Sequence, residues 1–328
     1  MLRLRPFELH HPTTVDEAVA LLASHGKRAR LISGGTDVLP NLKLGSIDAE
    51  VVVSLSRVDG LTGVQEAGGE VVIGARTRLI DVATDPTIGR IAPALAEAAS
   101  RIASPQIRRM GTIGGNLLLD VRCRYINQSD LFRQALGGCL KSHGAECHVV
   151  PGGRTCVAAL SADTVPVLVA LGASVDLVGG IRPRRVPVVD LYGPEGRNHL
   201  KLTANEVLIA IRFDAPAATT AVVWRKWAVR KSIDFPLVSV AVRLDRGADG
   251  LVSGGLAVAV VLGPQPRVVP FGLFAGRPVD AALAEEIGAL VERRCTPMPN
   301  VPYDAAYRKR RLGVEVKRAV LAIRDADA

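Results

Sequence analysis

Cys123, Cys139, Cys147 and Cys156 crowd into one stretch of a 328-residue chain with the spacing C-x15-C-x7-C-x8-C. A fifth cysteine, Cys295, stands apart in Arg293-Arg294-Cys295-Thr296-Pro297 and reads as an ordinary thiol at a helix end. Thiols clustered in this way, in a chain of this size without a secretory signal, point to a metal site rather than a disulfide framework. Zinc ribbons use close C-x2-C knuckles, and none is present. Four thiolates with no obligatory histidine suit an iron–sulfur cluster of two or four irons. On spacing alone, zinc and free thiols stay open. His143 and His148 lie close enough in sequence to donate to the sulfurs, or they are simply exposed or core histidines.

A second kind of chemistry sits in two glycine turns. Ser33-Gly34-Gly35-Thr36-Asp37 and Gly111-Thr112-Ile113-Gly114-Gly115-Asn116 each set paired glycines beside a hydroxyl residue and a short polar one. Glycine lets backbone N–H groups approach a phosphate closely, and the hydroxyls add donors. Neither turn matches G-x-G-x-x-G or the Walker pattern. One such turn is usually only a turn; two, each following an apolar segment, suit a dinucleotide. Lys226, in Trp224-Arg225-Lys226-Trp227 upstream of Asp234-Phe235-Pro236, is either a solvent-facing strand lysine or a cation that steadies an anionic reduced flavin ring. No Ser/His/Asp set, Cys/His set or carboxylate pair stands out. The chain offers electron transfer and no visible site for an organic substrate.

Composition narrows the partners. The net charge is +9, but the basic residues are spread and only 4% of residues are aromatic, so nucleic-acid binding is not expected. The dense cluster Arg308-Lys309-Arg310-Arg311 reads as a solvated helix face or a patch for an acidic partner subunit or anionic substrate. No apolar run of about 18 residues suggests a membrane span. The stretch Met1-Leu2-Arg3-Leu4-Arg5-Pro6 lacks a signal core, so the cytoplasm is the expected compartment.

The elements that must position these residues form three units. Thr14-Val15-Asp16-Glu17 predicts a capping box for a first helix stopped at Gly26. Strands at 30–32 and 51–55 complete a βαβ-like unit. A second unit has a strand at 71–74, a helix beginning near 78 with Thr77 as N-cap, and a helix over 92–103 with Pro93 in its first turn. Residues 124–156 show weak periodicity and need something covalent to order them. Residues 165–171 are a strand or a buried helical turn. Strands follow at 174–178, 184–188 and 206–213, and a boundary falls near Pro216. Strands at 221–230, 237–244 and 255–262, then helices at 280–293 and 304–324 capped by Asp280 and Asp304, predict an α+β unit with helices on one face of an antiparallel sheet.

Several landmarks together resemble the FAD-binding subunits of the molybdenum hydroxylase (xanthine dehydrogenase) family over nearly the full length. They are Leu31-Ile32-Ser33-Gly34-Gly35-Thr36-Asp37-Val38, Thr112-Ile113-Gly114-Gly115-Asn116, Asp163 with Pro166-Val167-Leu168, Glu206-Val207-Leu208, and Lys226 through Asp234-Phe235-Pro236-Leu237. Most of that family lacks cysteines between the Asn and the Asp. The insertion here, with Arg122-Cys123, Asn127-Gln128-Ser129, Cys139-Leu140-Lys141, Cys147-His148-Val149 and Cys156, resembles the beta subunits of the 4-hydroxybenzoyl-CoA reductases, which bind a [4Fe–4S] cluster beside FAD. Two departures are mild: Ser33 replaces the alanine common before the glycine pair, and Ser54-Leu55-Ser56 replaces an Asp-Leu-Ser strand end.

The resemblance implies the α+β FAD-binding fold of that family: an FAD-binding domain at 1–215, with parts at about 1–55 and 56–215 and a cluster insertion at about 117–160, then an α+β domain at 216–328. It implies that residues 31–38 and 111–116 wrap the FAD pyrophosphate and ribityl chain and that Asp163 bonds the cofactor's polar portion. Leu208, or its neighbour Ile209, and Lys226 would lie near the isoalloxazine, and the four cysteines would ligate a [4Fe–4S] cluster. It further implies a heterotrimer, often doubled, with a molybdenum-cofactor catalytic subunit and a two-[2Fe–2S] subunit, fed by ferredoxin. A hydroxylase flavoprotein passing electrons out to NAD or another acceptor is the rival, and a zinc-stapled binding module without redox function is the second.

Overall fold

Short parallel strands organise the first 54 residues of the computed structural model, which describes residues 3–326; Met1 and Leu2 of the N-terminal stretch lie outside it. β1 (Glu8–His10), β2 (Ala29–Ile32) and β3 (Val51–Ser54) pair in the order β1-β3-β2. All four residues of β3 are buried, as a central parallel strand requires. α1 (Val15–His25) packs against this sheet, and α2 (Val38–Lys43) follows the first glycine turn. Thr14 caps α1 by accepting from the Glu17 N–H, but Glu17 reaches back to Thr13, not to Thr14, so the reciprocal half of the predicted capping box is displaced by one residue.

The second unit is a five-stranded antiparallel sheet. β4 (Val64–Ala67), β5 (Glu70–Gly74), β6 (Ser174–Val178), β7 (Arg184–Pro187) and β8 (Val207–Asp214) run in the order β4-β5-β8-β6-β7. Between β5 and β6 lie α3 (Leu79–Thr84), α4 (Pro86–Ile91), α5 (Pro93–Ser100), α6 (Pro105–Arg108), α7 (Ile113–Leu117), α8 (Asp130–Ala135) and α9 (Thr164–Ala170). Thr77 is not the N-cap of α3. That position is Arg78, and the Thr77 hydroxyl instead donates to the carbonyls of Gly74 and Gly63, tying the turn after β5. The run at 165–171 is the helix α9, which ends the ambiguity of its pattern. Six of its seven residues are buried because it is wrapped on all sides, so no polar face survives to reveal a helical period.

The C-terminal sheet explains that wrapping. β9 (Thr220–Trp227), β10 (Val238–Arg246), β11 (Val252–Val260) and β12 (Arg267–Pro270) form an antiparallel sheet in the order β12-β11-β10-β9. α10 (Ala281–Arg294) and α11 (Ala305–Asp325), capped by Asp280 and Asp304, cover one face. The other face packs on α9 and α5. Alternate residues accordingly join different cores: Val238, Val240 and Val242 meet α10 and α11, whereas Ala241, Val258 and Val260 join the core of the second unit. A sheet buried on both faces reads as continuous apolar runs.

The segment at 124–156 contains a single six-residue helix, α8. Its base is stitched shut: Arg122 and Ala159 exchange two backbone hydrogen bonds, and Leu160 and Val261 share another. Asn300, fully buried, donates to the carbonyls of Val157 (2.6 Å) and Leu262 (3.2 Å), while its own carbonyl accepts from the Arg124 N–H. Arg308 also departs from expectation. It is not part of a solvated face but is fully buried, donating to the carbonyls of Leu237 (3.0 Å), Met298 (2.9 Å) and Val261. With no carboxylate beside it among the described residues, burial lowers its pKa to about 10.

Candidate functional site: a flavin cavity beside a ring of thiols

The two glycine turns are pressed together. A Cβ on Gly34 would lie 1.9 Å from the Met110 carbonyl oxygen, and one on Gly114 would lie 2.7 Å from that of Ala75. Gly35 has φ +72°, which a side chain disfavours. Thr112 caps α7 by accepting from the Gly115 N–H at 3.2 Å. Asn116 accepts from the hydroxyl of Thr164 at 2.6 Å, which locks the second turn to the start of α9.

Between the turns opens a cavity of about 590 Å³. Leu31, Ser33, Gly34, Gly35, Thr36, Asp37 and Val38 line one side of it, and Gly111, Thr112, Gly114, Gly115 and Asn116 the other. Asp163 and Leu208 also line it, whereas Ile209 packs against the N-terminal core. Three expected residues do not reach it. Ile32 faces Leu39 and the Gly35 turn, Ile113 is fully buried in the core, and Lys226 stops behind Asp163.

Lys226 is therefore not a solvent-facing lysine. Its Nζ donates to Asp163 Oδ2 at 2.7 Å and to the Arg101 carbonyl at 3.1 Å. Burial pushes the Asp163 carboxyl up, and Lys226 pulls it back. Asp163 Oδ1 and the Ser33 hydroxyl are buried polar atoms with no protein partner, and both residues border the cavity. Orphaned buried polar groups cost about 1–3 kcal/mol each, so a polar ligand that bonds them is favoured. A narrow cleft between backbone turns with donors along both turns fits the phosphates of FAD, and the Asp163 oxygen, an acceptor, fits a hydroxyl or ring N–H of the same cofactor. Asp37 also faces the cavity; burial raises its carboxyl, and Asn41 donates to it at 2.9 Å.

Sequence reading missed part of the lining. Arg76 borders the cavity while donating to the carbonyls of Val58 (2.7 Å) and Ser56 (2.8 Å). Ile102, Arg122 and Asn127 border it too, as do Ile233, Asp234 and Phe235 from the loop after β9. Of these, Arg122, Asn127 and the Asp234-Phe235 pair carried a signal, as members of the motifs that flank the cysteines and Lys226.

Cys123, Cys139, Cys147 and Cys156 are all buried and all line one second, small cavity of about 10 Å³. Among the described residues, no three His, Cys, Asp or Glu side chains stand close enough to share a single metal ion; the four thiols instead ring a common space. The Tyr125 N–H points at the Cys123 sulfur (3.4 Å), and the Ser142 hydroxyl at that of Cys139 (3.4 Å). Burial pushes the Cys156 thiol up to about 11, with Lys141 acting against it. A Cβ on Gly196 would lie 2.8 Å from the Cys156 sulfur. His148 also lines this cavity and hydrogen-bonds the Gly138 carbonyl, whereas His143 is exposed. Cys295 lies far off in the C-terminal core, its thiol raised to about 11 by burial.

One short wall separates the two cavities. Arg122 and Asn127 border the flavin cavity, while Cys123, Tyr125 and Ile126 border the thiol cavity.

Known proteins share the first of these sites. Residues 5–216 match the model of the FAD binding domain in molybdopterin dehydrogenase. The chain is 30% identical over 323 residues to the carbon monoxide dehydrogenase medium chain of Hydrogenophaga pseudoflava, covering 96% of each. It is 32% identical over 268 residues to an aldehyde oxidoreductase FAD-binding subunit of Escherichia coli, covering 77% of this chain and 82% of that one. The solved carbon monoxide dehydrogenase from H. pseudoflava lacking the Mo-pyranopterin moiety superposes with a TM-score of 0.77 at 28% identity, over 98% of both chains. With a cradle that suits FAD and this match over both of its glycine turns, the chain belongs to the FAD-binding subunits of molybdenum-containing oxidoreductases.

Proposed function

We propose that this chain is an FAD and [4Fe–4S] electron-transfer subunit of a molybdenum-containing reductase of the 4-hydroxybenzoyl-CoA reductase type. In this reading it takes electrons from a ferredoxin and passes them to a partner carrying [2Fe–2S] clusters and, through it, to a partner carrying the molybdenum site. One observation carries the proposal: four buried thiols, drawn from 34 residues of otherwise irregular chain, line one space that a short turn of chain separates from the flavin cavity.

Four cysteines around one space, with no close C-x2-C knuckle among them, favour a polynuclear cluster over zinc. Metal–sulfur bonds of about 2.3 Å are much shorter than van der Waals contacts, so a ligated group needs little free space. The Tyr125 N–H and Ser142 hydroxyl supply the donors that cluster sulfurs accept. FAD supplies the junction between one- and two-electron carriers. The chain's own residues cradle it: the paired turns hold its phosphates, and Ser33 and Asp163 offer unspent polar atoms to it.

A second reading is a dehydrogenase flavoprotein that passes electrons outward to NAD or another acceptor. It is favoured by the dehydrogenase names of the relatives above. The assembled complex, assayed anaerobically, separates the two readings. Oxidation of reduced ferredoxin coupled to aryl-CoA reduction supports the reductase; reduction of NAD by substrate, with no turnover on ferredoxin, supports the second reading and overturns the first.

A further inference from the structure

Arg133 lies behind the wall of the flavin cavity and grips both halves of it. Its guanidinium, 5% exposed, projects from α8 and donates in two directions. Nη1 donates to the carbonyls of Gln128 (2.7 Å) and Ile126 (3.2 Å), the two residues that flank Asn127. Nη2 donates to the carbonyls of Leu44 (2.8 Å) and Gly45 (3.2 Å), in the turn that follows α2. Asn127 and Leu44 both border the flavin cavity, and Ile126 borders the thiol cavity. Alongside, Arg122 Nη1 donates to the Ser46 hydroxyl at 3.2 Å.

Among the described residues, the only carboxylate partner of Arg133 is the largely exposed Asp130, at 3.3 Å, so the grip is on chain path rather than on charge. A planar fork of five donors holds carbonyls from two segments in one geometry, which an ammonium group cannot copy. The segment that carries the fork has little regular structure of its own, so a group bound by the cysteines would add to its order.

We propose that Arg133 is a positioning residue for the flavin. It carries the order imposed on the cysteine segment across to the α2 side of the FAD cavity, so that metal loading and FAD affinity are coupled. The proposal rests on the cluster reading above. Because coupling between two bound groups is reciprocal, FAD loss also loosens the cluster.

The test measures iron per chain and the FAD dissociation constant, by flavin fluorescence, on the full-length chain. Six samples are compared: wild type, Arg133→Gln and Arg133→Lys, each as purified anaerobically and after stripping with a chelator. The expected results are FAD binding about ten-fold weaker in loaded Arg133→Gln, partial recovery in Arg133→Lys, and a similar loss on stripping wild type. Stripping should then add little in Arg133→Gln, the non-additivity that a general structural role would not produce. Unchanged FAD affinity on stripping wild type, or fully additive effects, overturns the proposal. Wild type that never carries iron sinks the cluster reading and the coupling with it. The FAD affinity of Arg133→Gln then decides the clamp alone: weakening upholds it, no change overturns it. Should Arg133→Gln fail to fold, Arg133→Lys carries the same comparison.

Discussion

Lys226 on β9 and Asp163 at the start of α9 form a buried ion pair, 2.7 Å from Nζ to Oδ2, that joins the C-terminal sheet to the wall of the flavin cavity. Both side chains are at most 5% exposed, so neither charge is solvated when the other is removed. Asp163→Ala and Lys226→Met are each expected to cost about 3–5 kcal/mol, and the double variant clearly less than their sum. Urea denaturation checks this, and additive costs would show that the two charges do not depend on one another. Asp163→Ala should also weaken FAD retention beyond the loss in Lys226→Met, because Asp163 lines the cavity and Lys226 does not.

The glycines divide by what a Cβ would meet. Gly34→Ala brings a methyl group into the Met110 carbonyl, backbone against backbone, and should strip FAD while destabilising the fold by roughly 2 kcal/mol or more. Gly115→Ala meets only the Thr112 hydroxyl at 3.1 Å and should be milder. FAD-to-protein ratios after gel filtration test the order; equal ratios would contradict it. At Gly114 the nearest obstacle is Ala75, so loss of flavin there follows from displaced turns rather than from a side chain standing directly where the phosphate goes.

Glu206 supplies a pH test. Its side chain is nearly fully buried and bonds Arg184 at 2.6 and 3.0 Å and the Thr203 N–H at 2.7 Å. The Arg184 guanidinium holds the carboxyl below its ordinary 4.5. A depressed folded-state pKa means that the stabilisation is present in full above 4.5 and is lost as pH falls through the lower folded value. Glu206→Gln should therefore cost about 1–2 kcal/mol at neutral pH, kept modest because Arg184 is over a third exposed, and the gap to wild type should close in strong acid. A gap that is constant with pH would contradict this.

Asn300 fastens the cysteine segment to the C-terminal unit. Asn300→Ala leaves the buried carbonyls of Val157 and Leu262 without this donor and should cost about 2–4 kcal/mol. Hydrogen exchange should speed up at Cys156 to Ala158 ahead of the α10–α11 core. Uniform acceleration across the chain would argue against a local fastening.

Cys139→Ser should lose the metal and open residues 124–156 to limited proteolysis while leaving the C-terminal sheet protected. Retained iron and an unchanged cleavage pattern would count against a ligand role for Cys139.

Local signals carried much of this architecture. Asp280 and Asp304 marked two helix starts, and the glycine pairs and clustered cysteines marked both cavities. What stayed hidden depends on contacts distant in sequence. β1 is three residues of mixed polarity that become a strand only by pairing with β3. The burial of Arg308 and the grip of Arg133 are set by carbonyls of remote segments, for which side-chain type gives no hint. Lys226 looked exposed because strand alternation says which face a residue takes, but not that both faces of this sheet are covered.

The central claim, that these four thiols hold iron and sulfide next to a flavin, is tested most directly by assaying iron, acid-labile sulfide and FAD in the anaerobically purified chain. The account predicts about four irons and four sulfides with one FAD per chain. FAD bound to a protein whose four buried cysteines all titrate as free thiols, or which holds a single zinc, would contradict it.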